Sequence, residues 1–334
     1  MTVPSRLPIV QAPMAGGPST PELAAAVNAA GGFGFVAGAY LTAEALRGAL
    51  DRTRALTADP IGVNLFVPGQ PAPDRAAIDA YADRLRPLAA RFGVPLGAPR
   101  WEDDGYPAKL AALESAGVHT VSFTFGCPAA EDVQRLQRAG ARVAVTVTGR
   151  AEAELAAAAG ADLLVVQGTE AGGHQGTFDA TVPNETPLLD ALAAIRELDR
   201  PMIAAGGITT AADVQVALDA GARAVQVGTA LLCTPEAATS APYRTALLER
   251  RYAETVITRA FSGRWARGLA NAFAREHADA PGGYPEVHHL TRPLRAGATK
   301  AGDPDVPNLW AGTGWAAITA EPAADVVRRL AAGL

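Results

Sequence analysis

RVAVTVTGRAEAELAAAAGADLLVVQG, residues 142–168, is the stretch that decides the fold. Its first part, RVAVTVT (142–148), is an apolar run of strand length. AEAELAAAAG follows, an alanine-rich helical stretch that stops at glycine, where a left-handed C-cap is easiest. DLLVVQG (162–168) then returns to an apolar run. Both runs have the length and composition of strands buried on two faces, so the stretch reads as strand, helix, strand.

The same rhythm extends in both directions. Further runs lie at PIVQAPM (8–14), GFGFVAG (32–38), IGVNLFV (61–67), HTVSFTFG (119–126), PMIAAGG (201–207) and AVQVGTAL (224–231). Between them stand helical patterns such as TPELAAAVNAAGG, AEALRGALDRT and TAADVQVALDAG. Eight strand-like runs alternating with helices predict an α/β chain folded as a TIM (β/α)8 barrel. An open doubly wound sheet is the alternative, but it usually carries G-x-G-x-x-G after its first strand. GGFGFVAG enters a strand rather than opening a helix. After residue 232 the rhythm breaks. The expected organisation is a barrel over 1–235, a mostly helical cap over 236–309, and a return segment with a closing helix over 310–334.

Composition bounds the function. The 334 residues are 49% hydrophobic and carry a net charge of −5, with basic residues scattered. Neither a nucleic-acid surface nor a polybasic membrane surface is expected. The N-terminus lacks the apolar core of a secretory signal, and no run reaches the ~20 apolar residues that span a bilayer. Cys127 and Cys233 form no disulfide or metal pattern. A soluble, cytoplasmic protein is expected, with no metal.

Three features carry chemistry. Gly206 and Gly207 end the seventh predicted strand, and Gly228 and Thr229 follow the eighth. Barrels commonly bind phosphate there, using loop amides and the start of a short helix. Asn64, Gln167 and Gln226 interrupt otherwise apolar strands near their ends. A buried amide without partners costs roughly 1–3 kcal/mol, and a flat heteroaromatic ring beside a phosphate would satisfy several at once. FMN fits that description, with Gln11 and the backbone of Ala12, Pro13 and Met14 lining the other face. Finally, QGTEAGGHQGTF (167–178) follows the sixth run. Gly172 and Gly173 would fold this loop tightly and set His174 over the ring, as a base with an ordinary pKa near ~6.5. Glu170 would orient the ring or the loop.

Together, QAPMAGGPSTPELAAAVNAAGGFGFVAG, NLFVP, SFTFGCP, VVQGTEAGGHQGTF, AAGGI, VQVGT and the late LTRPLRAGATKAGD…LWAGT resemble the nitronate monooxygenases. The resemblance covers most of the chain. It implies a TIM barrel that binds FMN non-covalently through Asn64, Gln167, Gly172, Gly207, Gln226, Val227, Gly228 and Thr229, with His174 as base. Tyr284, Lys300 and Trp310 match the family's cap region, where they would border the substrate and hold a carboxylate. The chain departs from the family at Thr313, where glutamine is common, and at the pair His288 and His289. Cys127 reads as a packed thiol, with no histidine paired to it by sequence.

The implied reaction oxidises alkyl nitronates, such as propionate 3-nitronate, with O2 to a carbonyl product and nitrite; nitroalkanes would first lose a proton to His174. The expected partners are a small-molecule substrate and O2, in a monomer or homodimer. Flavin-dependent enoyl-acyl-carrier-protein reductases share the AGGH loop and the AAGGI/VQVGT segments, so NAD(P)H-dependent enoyl reduction is the alternative. A flavin-free phosphate-ester isomerase or lyase on the same barrel is the rival from another class.

Overall fold

The computed structural model describes residues 3–334; Met1 and Thr2, the start of the expected barrel segment, lie outside it. Eight parallel strands form the barrel: β1 (Ile9–Gln11), β2 (Phe35–Ala37), β3 (Gly62–Phe66), β4 (Thr120–Thr124), β5 (Arg142–Val147), β6 (Leu163–Gln167), β8 (Met202–Ala205) and β9 (Ala224–Val227). Each falls inside one of the eight runs. Neighbours pair in chain order, and β9 returns to β1. The last seam closes through the Val10–Phe33 bridge, with Gln11 N donating to Phe33 O and Phe33 N to Ile9 O, both at 2.9 Å.

Strand periodicity sorts the side chains. Val143, Val145, Val147, Leu164, Val166 and Val225 point outward into the main core between strands and helices. The alternate residues fill the barrel. Low in the barrel these are Ala144, Leu163, Val165, Ile203 and Ala224, packed with Phe33 and Phe35. At the C-terminal ends the same inward phase carries Asn64, Thr124, Thr146, Gln167 and Gln226, all lining one cavity. The polar interruptions in the apolar runs are therefore one ring of side chains at the barrel mouth.

The helices around the barrel are α1 (Pro21–Ala29), α2 (Ala43–Leu56), α4 (Tyr106–Glu114), α5 (Ala130–Arg138), α6 (Arg150–Ala158), α7 (Leu188–Ile195), α8 (Ala211–Asp219) and α12 (Ala323–Leu330). The last comes from the C-terminus and packs between α1 and α8, completing the ring.

A second core sits above the barrel mouth, and its composition differs from the expected 236–309 helical cap. It takes Ile78, Tyr81 and Leu85 from α3 (Arg75–Arg91), an extra helix between β3 and β4. These pack on Phe261, on Phe273 of α10 (Ala272–Glu276), and on Val287, Leu290 and Leu294 of α11 (Glu286–Lys300). The region also contains strands. After α9 (Ala241–Leu248), β10 (Thr255–Thr258) and β11 (Ala266–Leu269) form an antiparallel sheet with β7 (Gly173–His174). The apolar stripe of α3 has the 3.6-residue period of any helix, so the sequence does not show which of the two cores it joins. No helix of the described residues is long and apolar enough to cross a membrane.

Candidate active site

A cavity of about 460 Å³ opens between the barrel mouth and the second core. That volume lies in the range of ordinary cofactor and small-molecule sites. Among its lining residues are Ala12, Pro13, Met14, Asn64, Gln167, Gly172, Gly173, His174, Gly206, Gly207, Gln226, Val227, Gly228, Thr229 and Trp310.

One side is formed by two glycine-bearing loops. Gly206 and Gly207 have φ of +119° and +72°, a region side chains avoid. A Cβ on Gly207 would come 3.0 Å from the Glu170 Cβ, and one on Gly228 would come 3.2 Å from the Ala12 Cβ. A short 3-10 turn, Thr229–Leu231, starts directly after Gly228. The Thr229 hydroxyl accepts the Gly312 amide at 3.0 Å, so it links the return segment to this loop as well as facing the cavity.

The ring of amides divides in two. The Asn64 amide donates to Ser122 Oγ (2.9 Å) and Thr124 Oγ1 (3.1 Å). Gln167 is committed at both ends: Nε2 donates to His174 O (3.2 Å) and Oε1 accepts from Gly176 N (2.7 Å). Its partners are thus the backbone of its own loop, where the sequence reading assigned it to a flavin. Gln11 is likewise spent, accepting from Phe35 N and donating to Ser19 Oγ. Gln226 lines the cavity, and its side-chain amide has no hydrogen-bond partner among the described residues.

The loop after β6 is held from both sides. Gly172 packs against the return segment so closely that a Cβ would meet Gly312 N at 2.4 Å. Gly173 turns at φ +80°. His174 then pairs with Ala266 of β11, which fixes its ring under the second core. Glu170 orients the loop, not the ring: its carboxylate accepts from Leu188 N at the start of α7 (3.1 Å), and its carbonyl accepts from Thr313 N (3.0 Å).

The His174 ring lies among Phe125, Tyr284 and Trp310, at centroid distances of 5.6, 5.7 and 5.4 Å. Its Nε2 is 2.8 Å from Ser262 Oγ. The Ser262 hydroxyl donates to Arg264 O at 3.3 Å. In that arrangement Ser262 Oγ accepts a hydrogen bond from Nε2–H, and Nδ1 keeps its lone pair. Burial, together with the Arg264 and Arg295 charges, pushes the imidazole from its ordinary value down to about 3. The ring is therefore neutral at any physiological pH, and a much weaker base than an ordinary histidine.

Cations of the cavity wall come from α11. His288, Arg292, Arg295, Ala296 and Thr299 recur at helical spacing and line the cavity as one stripe. Lys300 lies one residue past Thr299, a turn of ~100° around the axis. It is exposed and outside the lining. Lys300, expected to border the substrate, does not line this cavity, whereas Arg292 and Arg295 do. Arg295 is desolvated and donates to Thr291 Oγ1 (3.0 Å) and Asn308 Oδ1 (2.5 Å). It has no carboxylate partner among the described residues, and burial lowers its pKa to about 10. Tyr284 sits behind the front wall: its hydroxyl donates to the Tyr40 hydroxyl at 3.1 Å, and Tyr40 lines the cavity.

Tyr40, Phe125, Ser262, Arg292 and Arg295 escaped the sequence reading. Phe125 at φ +80° and Tyr40 at φ +64° are strained, and strain at a site marks constraint, but φ is invisible before folding. The arginine stripe was legible as a helical repeat once HHLTRPLRAGAT is read as α11 rather than loop.

The nitronate monooxygenase family matches residues 4–333. The chain is 43% identical to a nitronate monooxygenase from Pseudomonas aeruginosa, over 97% of this chain and 95% of that one. It is 38% identical to one from Paraburkholderia phytofirmans, over 97% and 91%. A solved nitroalkane oxidase from Streptomyces ansochromogenes superposes with a TM-score of 0.96 at 48% identity, covering 99% of this chain and 96% of that one. FabK from Thermotoga maritima shares the fold, with a TM-score of 0.75 at 24% identity. A barrel whose mouth gathers a glycine cradle, an uncommitted amide and a buried imidazole, matched end to end by these relatives, belongs to an oxidoreductase of the nitronate monooxygenase family.

Proposed function

We propose that this chain oxidises alkyl nitronates with O2, using bound FMN, to a carbonyl product and nitrite. The observation that carries the reading is a neutral, desolvated His174 facing an anion-attracting cavity. The residues fit FMN. The Gly206–Gly207 and Gly228–Thr229 loops line the cavity, and their glycines let backbone approach a phosphate closely. Gln226 offers a free amide, and Asn64 sits at the same level of the barrel. Ala12, Pro13 and Met14 offer backbone on the facing side. When bound, FMN supplies the electron-accepting chemistry of the oxidation.

The chain's own residues bind and orient the substrate. Arg292 and Arg295 lend positive potential to the cavity wall, favouring an anion over a neutral molecule. The aromatic shell of Phe125, Tyr284 and Trp310 restricts water. His174 Nδ1 is the acceptor for an α-proton when the substrate arrives as a nitroalkane. General bases work best with a pKa near the operating pH. A histidine held near 3 is far from that optimum, whereas the arginines stabilise the anion that deprotonation would produce. The site therefore favours nitronates already formed in solution over neutral nitroalkanes.

His174→Ala tests this. Nitroalkane turnover is expected to fall by about 10²-fold, the low end of what a positioned base contributes, with nitronate turnover largely retained. Equal loss on both substrates removes the base assignment. Anaerobic mixing tests the reaction class: bleaching of the flavin by a nitronate is expected, and bleaching by NADH instead would assign the chain to enoyl reduction.

A further inference from the structure

His288 is the unusual residue of the cavity wall. Its ring lines the cavity although the residue is only 8% exposed. One face stacks on Tyr40, with centroids 4.5 Å apart and planes within 4°. Its Nδ1 lies 3.3 Å from Arg295 Nη2, which also reaches His288 O at 3.3 Å. A guanidinium has donors and no acceptor, so His288 Nδ1 must carry the lone pair. A neutral ring then bears its proton on Nε2. The ring is kept neutral: burial, Arg295, His174, His289 and Arg292 all push its pKa far down. Tyr40 and Tyr284, the other titratable groups against it, are themselves uncharged in the ordinary pH range, since burial raises both. Nε2 meets no acceptor among the described residues.

We infer that His288 is a fixed neutral hydrogen-bond donor, presenting Nε2–H across the cavity from His174 to an oxygen of the substrate's nitro or nitronate group. This rests on the function proposed above. The division of labour follows from hydrogen-bond chemistry. His174 donates its Nε2–H to Ser262 Oγ and keeps a lone pair for the cavity. His288 accepts a hydrogen bond from Arg295 at Nδ1 and keeps an N–H for the cavity. Two neutral imidazoles of opposite tautomer role thus share one site, one an acceptor toward carbon-bound hydrogen and one a donor toward oxygen. A neutral N–H is suited to a nitronate oxygen because donating requires no proton transfer. Arg295, which has no carboxylate partner, enforces the tautomer and adds positive potential behind the donor.

Two measurements test this independently. Long-range nitrogen–proton NMR on protein labelled with ¹⁵N-histidine reads the tautomer directly. The chain has five histidines, and the His288 signals are those lost in His288→Gln. A neutral Nε2–H ring is expected from pH 6 to 8; an Nδ1–H ring or an imidazolium overturns the inference and leaves the proposed function untouched. The second measurement is steady-state turnover of a preformed nitronate. His288→Phe keeps a ring for Tyr40 to stack on but removes the donor, and is expected to lose about 10²-fold in kcat/KM, the scale of one oxyanion donor. His288→Gln places a carbonyl toward Arg295 and an amide toward the cavity, and is expected to recover most of that loss. Full activity in the Phe variant, or equal loss in both variants with the fold intact by circular dichroism, overturns the donor role. A wild-type protein inactive on every nitronate would instead refute the proposed function, with the NMR result still deciding the tautomer.

Discussion

At the scale of single residues, the site turns on which partner each polar atom already has. Gln167 and Gln11 look like ligand-binding amides in the sequence, yet Gln167 is bonded to the backbone of its own loop and Gln11 to Phe35 N and Ser19 Oγ. Gln226 keeps its amide for the cavity. His174 shows the same principle in its acidity. Desolvation and two arginines lower its pKa to about 3. In the free enzyme, kcat/KM reports the ionisation of the essential base. With a nitroalkane whose own α-proton stays on across the range, kcat/KM is expected to stay flat from pH 8 down to pH 5. An ordinary histidine would lose more than tenfold over that interval. A falling limb centred near 6.5 would show that the base titrates normally and that the buried environment is misassigned.

At the scale of elements, the loop from β6 to β7 is the piece that couples barrel and cap. Its two glycines serve different ends. A Cβ at Gly172 would meet Gly312 N at 2.4 Å and the Ala311 carbonyl carbon at 2.6 Å, both backbone atoms that cannot swing aside. A Cβ at Gly173 would meet open space, but its φ is +80°. Gly172→Ala is therefore expected to overpack the site, costing about 1–3 kcal/mol, and to displace the return segment that carries Trp310. Gly173→Ala pays only backbone strain, about 1–2 kcal/mol. Thermal unfolding and retention of the proposed FMN, measured on both variants, check this. The Gly172 variant should lose the cofactor more readily, and the reverse order would contradict the contact. The α11 stripe makes a related point: Lys300 and Arg295 are five residues apart, yet helical phase puts only Arg295 on the cavity wall.

At the scale of the whole molecule, all five histidines have lowered pKa values, with burial the first cause in each case. The folded state then binds fewer protons than the unfolded chain below pH ~6.5. Stability rises with pH wherever the unfolded state holds more protons. The contribution is complete above ~6.5 and is lost as pH falls toward the folded values. Each of the two rings whose pKa is lowered furthest, His174 and His288, contributes a slope of about 1.4 kcal/mol per pH unit within that window. Urea unfolding at pH 7.5 and 5.5 should show the acid sample markedly less stable. The double variant His174→Gln with His288→Gln should flatten the difference, and an unchanged pH dependence would mean the two rings are not buried neutral.

The sequence by itself determined the barrel, because strand burial on two faces and helix capping are local patterns that repeat eight times. It also determined the position of the mouth: polar residues on the inward phase of apolar strands, beside glycine-ended loops, can only be satisfied where the strands open. Tertiary structure alone decided who lines the upper wall. The second core draws α3 from between β3 and β4 and folds it against α10 and α11. That packing selects Arg292 and Arg295 over Lys300, and brings Ser262, Tyr40 and His288 around His174 from segments up to 248 residues apart in number. Long-range packing of this kind leaves no local period in the chain, since an apolar helical stripe specifies that a helix is buried and not which partner buries it.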